Sequence, residues 1–315
     1  MPKMNIINKK YWYFLFSALI ILPGLWSLWR YGLKLSIDFT GGTLLELKIS
    51  PFAKATGDKQ NSNIKTSTQS LKLLLTENKF DISSVQFTTN DTYLIRTKPL
   101  NKDDVLRIEE TLKKTYSEVK EERVETVGPT IGRELTEKAL WAIGMASIAI
   151  VCYLAYAFRK VPAPLSGWKF GVCAVTALIH DVIVVTGIFS LLGHYLNVEV
   201  DSLFVTALLT IIGFSVHDTI VVFDRIRENM RKMSGKSFAV IVNDSILQTL
   251  RRSINTSLTV IFTLLALLFF GGESIRWFIA ALLVGIISGT YSSIFNAVPL
   301  LVVWEEINEK RQKKH

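Results

Sequence analysis

The sequence predicts a polytopic α-helical membrane protein of six transmembrane helices, with a ferredoxin-like α+β (βαββαβ) domain between the first and second helices. Three observations carry that prediction. Of the 315 residues, 49% are hydrophobic and 20% charged, with a mean hydropathy of +0.32; a soluble globular domain carries about 25% charged residues. The apolar residues gather into six blocks of roughly 20, the length that crosses a hydrocarbon core. Between residues 31 and 138 the pattern changes to short strand and helix periods. This distribution excludes a disordered, fibrous or ordinary soluble protein.

The first span, Tyr11 to Trp29, is uncharged and follows Lys3, Lys9 and Lys10. Its apolar run is longer than a signal core and no small-x-small site follows, so it reads as a retained helix. Ala139 to Phe158 forms the second span. Phe170 to Leu192 forms the third, interrupted by His180 and Asp181, and Leu203 to Phe223 the fourth, interrupted by His217 and Asp218. Ser253 to Gly272 forms the fifth, and Trp277 to Trp304 the sixth, long enough to tilt or to bend at Pro299. The expected organisation is a tail and first span over 1–30, the α+β domain over 31–138, spans two to six over 139–304, and a basic tail over 305–315.

Within the polar insertion, Thr43 to Ile49 alternates like a half-buried strand, and Pro51 to Lys65 is a polar loop. Leu71, Leu74, Leu75 and Asn78 have helical spacing. Ser84 to Thr88 and Thr92 to Thr97 read as strands joined by an Asn90-Asp91 turn. Asn101 opens a second helix, its side chain available to cap, with Asp103 and Asp104 suited to the N-terminal dipole. Val105, Ile108, Leu112 and Tyr116 share its inner face. Val119 to Val127 makes the last strand, stopped by Pro129. The domain has no Cys or His, and its carboxylates read as surface groups, so binding or mechanical work is expected there rather than catalysis.

The net charge of +9 is concentrated at one side of the spans. Lys3, Lys9 and Lys10 precede the first. Arg159, Lys160 and Lys169 follow the second, and Arg225, Arg227, Arg231, Lys232, Lys236, Arg251 and Arg252 lie between the fourth and fifth. Lys310, Arg311, Lys313 and Lys314 end the chain. Gly193 to Ser202 has no Lys or Arg, and the turn after the fifth span has only Arg276. The excess of Lys and Arg puts both termini in the cytoplasm and residues 31–138 outside. The basic clusters then fix topology and meet anionic headgroups; no aromatic-interleaved groove indicates nucleic acid. Cys152 and Cys173 lie in apolar runs and read as small hydrophobes.

Asp181 and Asp218 each cost about 2.5 to 3.5 kcal/mol at bilayer depth. The third and fourth spans are antiparallel, so the two His-Asp pairs can approach one another. Arg252, at the mouth of the fifth span, is the natural cation for Asp218. If that pairing makes and breaks, protonation of Asp218 is a switch. One charge crossing 100 mV is worth about 2.3 kcal/mol, which biases an equilibrium several tens-fold. Plainer readings stand beside this one. Asp218 can be a helix-helix hydrogen-bonding group, and Asp181, which has no evident cation, is equally a structural group. His180 and His217 serve as polar partners, or the four groups hold a divalent metal, although HExxH spacing is absent. No cofactor is expected, and no GxxxxGK[ST] loop indicates an ATP-driven enzyme. Asn255, Thr256, Ser257, Thr259, Ser288, Thr290, Ser292, Ser293 and Asn296 line a hydrated interior or pack helices; Gly285-xxx-Gly289 favours packing.

Several motifs carry a resemblance. Ser36-Ile37-Asp38-Phe39-Thr40-Gly41-Gly42 resembles the (G/S)-I-D-F-T-G-G signature of the bacterial SecD/SecF family. Val127-Gly128-Pro129-Thr130-Ile131-Gly132-Arg133-Glu134-Leu135, the block from Leu209 to Asn229, Arg252 to Ser257, and Gly285 to Leu300 resemble that family in order and over nearly the whole chain. Chain length, the small outside domain and the form of the second motif place the sequence on the SecF side of the family.

The resemblance implies a non-enzymatic membrane subunit, related to RND-type transporters, in the bacterial inner membrane or in an internal membrane. It implies pairing with SecD, association with SecYEG and often YajC, and use of the proton motive force to draw unfolded preprotein outward after SecA has acted. It also implies Asp218 and Arg252 as proton-responsive groups. The residue before that Asp is often Asn in the family; His217 stands here and bears on pH dependence. Gly41 and Gly42 permit a tight turn, and Pro129 and Gly132 do the same on re-entry, as rigid junctions or as hinges that transmit helix motion. Asp224, Arg225, Arg227 and Glu228 read as an ion-paired helix end. Two competing functions are an RND-type proton-coupled exporter and a non-conducting scaffold of the translocon.

Overall fold

The computed structural model describes residues 5–49, 68–88, 92–116, 118–159, 161, 166–233 and 235–312. The expected loop Pro51 to Lys65, the Asn90-Asp91 turn, Lys3, Lys160, Lys313 and Lys314 lie outside them. In chain order the elements are α1 (Lys10–Tyr31), α2 (Ile37–Thr40), β1 (Gly42–Ile49), α3 (Thr68–Glu77), β2 (Ile82–Phe87), β3 (Thr92–Thr97), α4 (Lys102–Thr115) and β4 (Val119–Val127). Then follow α5 (Pro129–Ala157), α6 (Gly167–Leu196), α7 (Ser202–Lys232), α8 (Phe238–Phe270), α9 (Arg276–Ser292), a π-helical turn (Ser293–Ala297) and α10 (Val298–Gln312). The chain divides into two units, Leu35–Lys138 and Met1–Lys34 with Ala139–His315.

In the α+β unit the sheet order is β2-β3-β1-β4, with every neighbouring pair antiparallel. With helices between β1 and β2 and between β3 and β4, this is the split βαβ of the ferredoxin-like fold. Leu45, Leu47 and Ile49 of β1 alternate inward beside Tyr93 and Ile95 of β3, and meet Leu71 and Leu75 of α3 and Val105, Ile108 and Leu112 of α4. Each such side chain stabilises the core by about 1.5–3 kcal/mol. On the β4 edge, Glu122 is the extra residue opposite the Glu46–Leu47 step. The bulge and the exposed charges around it blunt that edge against further pairing.

The Asn101 side chain makes no capping bond on α4, contrary to the expectation. Its carbonyl accepts from Val105 N–H at 3.2 Å, and Asp103 and Asp104 supply the negative charge that the helix start favours.

Six helices of the other unit are long and apolar enough to cross a membrane. Several outrun the apolar blocks. α7 continues to Lys232 and α8 begins at Phe238, with Ile226, Asn229, Ile241, Val242, Ser245 and Ile246 buried. Hydropathy marks only the apolar part of a helix, and the amphipathic remainder continues the 3.6-residue period. Small residues set the closest crossings, as expected where lipid removes the hydrophobic drive for helix association. A Cβ on Gly187 of α6 would lie 2.6 Å from Gly24 Cα of α1. Gly285 faces Ile211 and Gly289 faces Ser215, so the Gly-xxx-Gly pair seats α9 on α7. The irregularity expected at Pro299 is the π turn just before it: proline has no N–H, and its ring displaces the carbonyl four residues earlier.

Two expected loop charges are instead engaged in packing. Lys169 is buried and donates to Glu305 Oε2 at 2.9 Å, and Lys10 pairs with the adjacent Glu306. Because α10 continues the last span to Gln312, both glutamates stand on a helix facing α6 and the start of α1. Cys173 is buried as expected for a small hydrophobe, whereas Cys152 is exposed.

Candidate functional site

The two intramembrane carboxylates have different environments. Asp181, midway along α6, is 1% exposed. Its Oδ1 accepts from Ser288 Oγ at 2.7 Å and lies 3.0 Å from His180 Nδ1. Its Oδ2 accepts from Ser215 Oγ at 2.6 Å and Ser292 Oγ at 2.7 Å. Ser288 and Ser292 are four apart on α9 and therefore share one face. Asp181 thus ties α6 to α7 and α9 with its acceptor sites filled.

Asp218, midway along α7, is equally buried at 2%. Its hydrogen-bond donor among the described residues is Ser257 Oγ of α8, at a long 3.4 Å. His217 Nδ1 lies 3.9 Å from Oδ1, but that imidazole is exposed. Arg252 is exposed on α8, five residues before Ser257. Among the described residues, the ionisable side chain within 4 Å of the Asp218 carboxylate is His217, not Arg252. His180 is buried, with Nε2 lacking a hydrogen-bond partner among the described residues, while His217 points away from the helix interior. The two His-Asp pairs therefore do not converge, and no cluster of three or more His, Cys, Asp or Glu among the described residues is arranged to hold a metal.

The polar residues of the last spans separate into two sets. Ser257, Ser288, Ser292 and Ser293 are buried and hydrogen-bonded, and Thr290 donates to Ser257. Asn296 exchanges hydrogen bonds with Ser17 of α1. Asn255 and Thr259 are exposed beside Arg252. On α7, Thr206, Thr210, Gly213 and His217 are exposed at spacings of four, three and four, which makes one helix face. Ser215 and Thr219 were not anticipated. Ser215 donates to Asp181, and Thr219 donates to Ser293 at 2.8 Å. Their four-residue spacing, matching Ser288 and Ser292, was the available signal.

The two glycine-containing motifs meet in one junction of the α+β unit. Ser36 Oγ accepts from Asp38 N–H and starts the short α2, which carries Phe39 and Thr40. Gly41 then takes φ +72°, and a Cβ there would lie 2.9 Å from Pro129 Cα. Gly42 has φ +137° and crowds the Thr97 carbonyl. Gly132 approaches the Phe39 carbonyl and Gly41 N, while Gly128 has open space around it. Beyond α7's middle, Arg227–Asp224, Arg225–Glu228 and Lys232–Glu228 form the expected ion-paired end.

Residues 107–307 match the family described as protein export membrane protein SecD/SecF, C-terminal, and residues 26–51 match the SecD/SecF GG motif. The protein translocase subunit SecF of Thermobaculum terrenum is 45% identical over 321 residues, covering 96% of this chain and 94% of its own. SecDF of Bacillus subtilis is 34% identical, covering 96% of this chain and 38% of the longer one. The crystal structure of SecDF from Thermus thermophilus, a translocon-associated membrane protein, superposes with a TM-score of 0.81 at 35% identity. That match covers 97% of this chain, which spans 39% of the solved one.

Proposed function

The chain belongs to the SecD/SecF family of protein export membrane proteins, and from that premise we propose that it is a SecF subunit that couples proton entry to polypeptide export. The observation that carries this reading is the contrast between the two buried carboxylates. Asp181 is held by a filled set of donors. Asp218 has one long hydroxyl contact and a cation at a distance, so its charge is free to come and go.

SecD is the proposed partner. The fused SecDF chains put both subunits in one polypeptide, and the exposed His217 of α7 and Arg252 and Asn255 of α8 are poorly suited to lipid. The Thr206 and Thr210 hydroxyls turn back onto their own helix. With Gly213 they leave a low, small-residue surface of the kind that admits another helix closely. The complete reading has the pair beside SecYEG and YajC in the bacterial inner membrane, drawing on unfolded preprotein after SecA has acted. The basic loops support a topology with both termini in the cytoplasm and the α+β unit outside.

The test is export of a secreted protein into vesicles holding this chain with SecD under an imposed proton gradient, for wild type and Asp218→Asn. Loss of gradient-dependent completion, with insertion and SecD binding intact, is the expected result. Unchanged export and unchanged gradient dependence would leave a scaffold as the better account.

A further inference from the structure

Two hydroxyls in series join Asp218 to α9. Ser257 Oγ lies 3.4 Å from Asp218 Oδ2, and Thr290 Oγ1 donates to Ser257 Oγ at 2.6 Å. Each hydroxyl also has a second acceptor one turn back on its own helix. For Ser257 it is the Ser253 carbonyl at 2.9 Å, and for Thr290 the Ile286 carbonyl at 2.8 Å. A hydroxyl has one hydrogen, so each must choose. Nearby, Ser253 Oγ is buried without a hydrogen-bond partner among the described residues. An unsatisfied polar group beside two ambivalent hydroxyls belongs to a site with more than one hydrogen-bond arrangement.

We propose that Ser257 and Thr290 form a hydroxyl relay that reads the charge of Asp218, with Thr290 a positioning residue acting through Ser257. The proposal rests on Asp218 being the group that protonates. With Asp218 ionised, Ser257 donates to Oδ2, and Thr290 donates into Ser257 Oγ, which polarises the Ser257 O–H toward the carboxylate. With Asp218 neutral, its own O–H donates to Ser257 Oγ. The Ser257 hydrogen turns to the Ser253 carbonyl, and Thr290 can return its hydrogen to Ile286. No bond at either hydroxyl breaks; the only proton transferred is the one gained or lost by Asp218.

The relay ends on a helix that is separately fixed. Ser288 and Ser292, flanking Thr290 on α9, both donate to Asp181. Asp181 therefore sets the position of α9, and Thr290 presents the changing contact. Several other ionisable groups lie on α7 and on the helices packed against it. His217 is exposed beside Asp218, and Arg252 acts on it from α8. His180 and Asp181 bond each other, Tyr291 donates to the Tyr13 carbonyl, and Glu305 pairs with Lys169.

The experiment uses the full chain with SecD in vesicles. Gradient-driven export is measured across pH for wild type, Thr290→Val, Thr290→Ser, Ser257→Ala and Asp218→Asn. The carboxylic-acid infrared band that Asp218→Asn removes is titrated in parallel. Losing a donor to a carboxylate disfavours its charged form. Thr290→Val and Ser257→Ala are expected to move the midpoint of the band and of export upward by about half a pH unit, the size of one modest hydrogen bond. Thr290→Ser should restore it. If the band midpoint stays at the wild-type value in both Thr290→Val and Ser257→Ala, the relay is wrong. Loss of export in Asp218→Asn would then leave the coupling role of Asp218 standing. Absence of any titrating Asp218 band overturns the relay outright. Retention of gradient-dependent export by Asp218→Asn overturns the coupling role instead.

Discussion

Gly132 rests against the backbone of Phe39: a Cβ on Gly132 would fall 2.9 Å from the Phe39 carbonyl oxygen and 3.0 Å from Gly41 N. Two motifs far apart in sequence are therefore one packed junction, and its partners are backbone atoms that cannot rotate away. Gly132→Ala should loosen the α+β unit by about 1–3 kcal/mol, the usual cost of overpacking. Gly128→Ala, in open space, should cost far less. Protease resistance of the α+β unit in the full-length protein measures both; equal effects would refute the junction.

Asp181 should behave as a structural group. Asp181→Leu removes the carboxylate that accepts from Ser215, Ser288 and Ser292, and should lower stability by about 3 kcal/mol or more. Asp181→Asn should cost about 1 kcal/mol, because hydroxyls rotate to accept from the new amide. Thermal unfolding in detergent checks this order. A similar loss from both substitutions would mean that the charge, rather than hydrogen-bond acceptance, holds α6 to α9.

The same carboxylate shows where sequence reasoning stopped. Acids inside apolar runs are conspicuous because charge is costly there, so Asp181 and Asp218 could be singled out without coordinates. Their contrast could not, since the hydroxyl donors to Asp181 come from two other helices, α7 and α9. Serine in an apolar run carries no sign of which neighbour it faces. Likewise, Lys169 is indistinguishable from a topology-setting lysine until Glu305, 136 residues later, is brought against it. Strands and amphipathic helices were legible because alternation and 3.6-residue spacing are local. The docking of Gly132 on Phe39 was not, because both motifs read as independent turns.

In the α+β unit, Lys113 donates to Glu109 at 2.8 Å and holds that carboxyl below its ordinary range. Glu109, hydrogen-bonded to Glu121, pushes the second carboxyl above it. The signs are opposite. Glu109 adds stability that is present above the ordinary carboxylate range and lost as pH falls through its lowered value. Glu121 adds stability at acidic pH that is lost as pH rises through its raised value. Glu121→Gln should therefore protect α4 more than wild type at pH about 7 and lose that advantage near pH about 4. Hydrogen exchange of α4, corrected for intrinsic rates, reads the difference; an advantage that grows on acidification would show the pair to be misassigned.

Lys169 and Glu305 test how much the last helix depends on a buried charge. Both are largely removed from solvent and lie 2.9 Å apart. Removing one partner strands the other, which costs about 3–5 kcal/mol, whereas replacing both with apolar groups is often neutral or stabilising. Lys169→Met and Glu305→Leu should each lower the melting temperature strongly, and the double variant should recover most of the loss. Additive losses in that cycle would place the two charges in separate, solvated environments. Recovery would show that the pair specifies the seating of α10 on α6 while contributing little net stability.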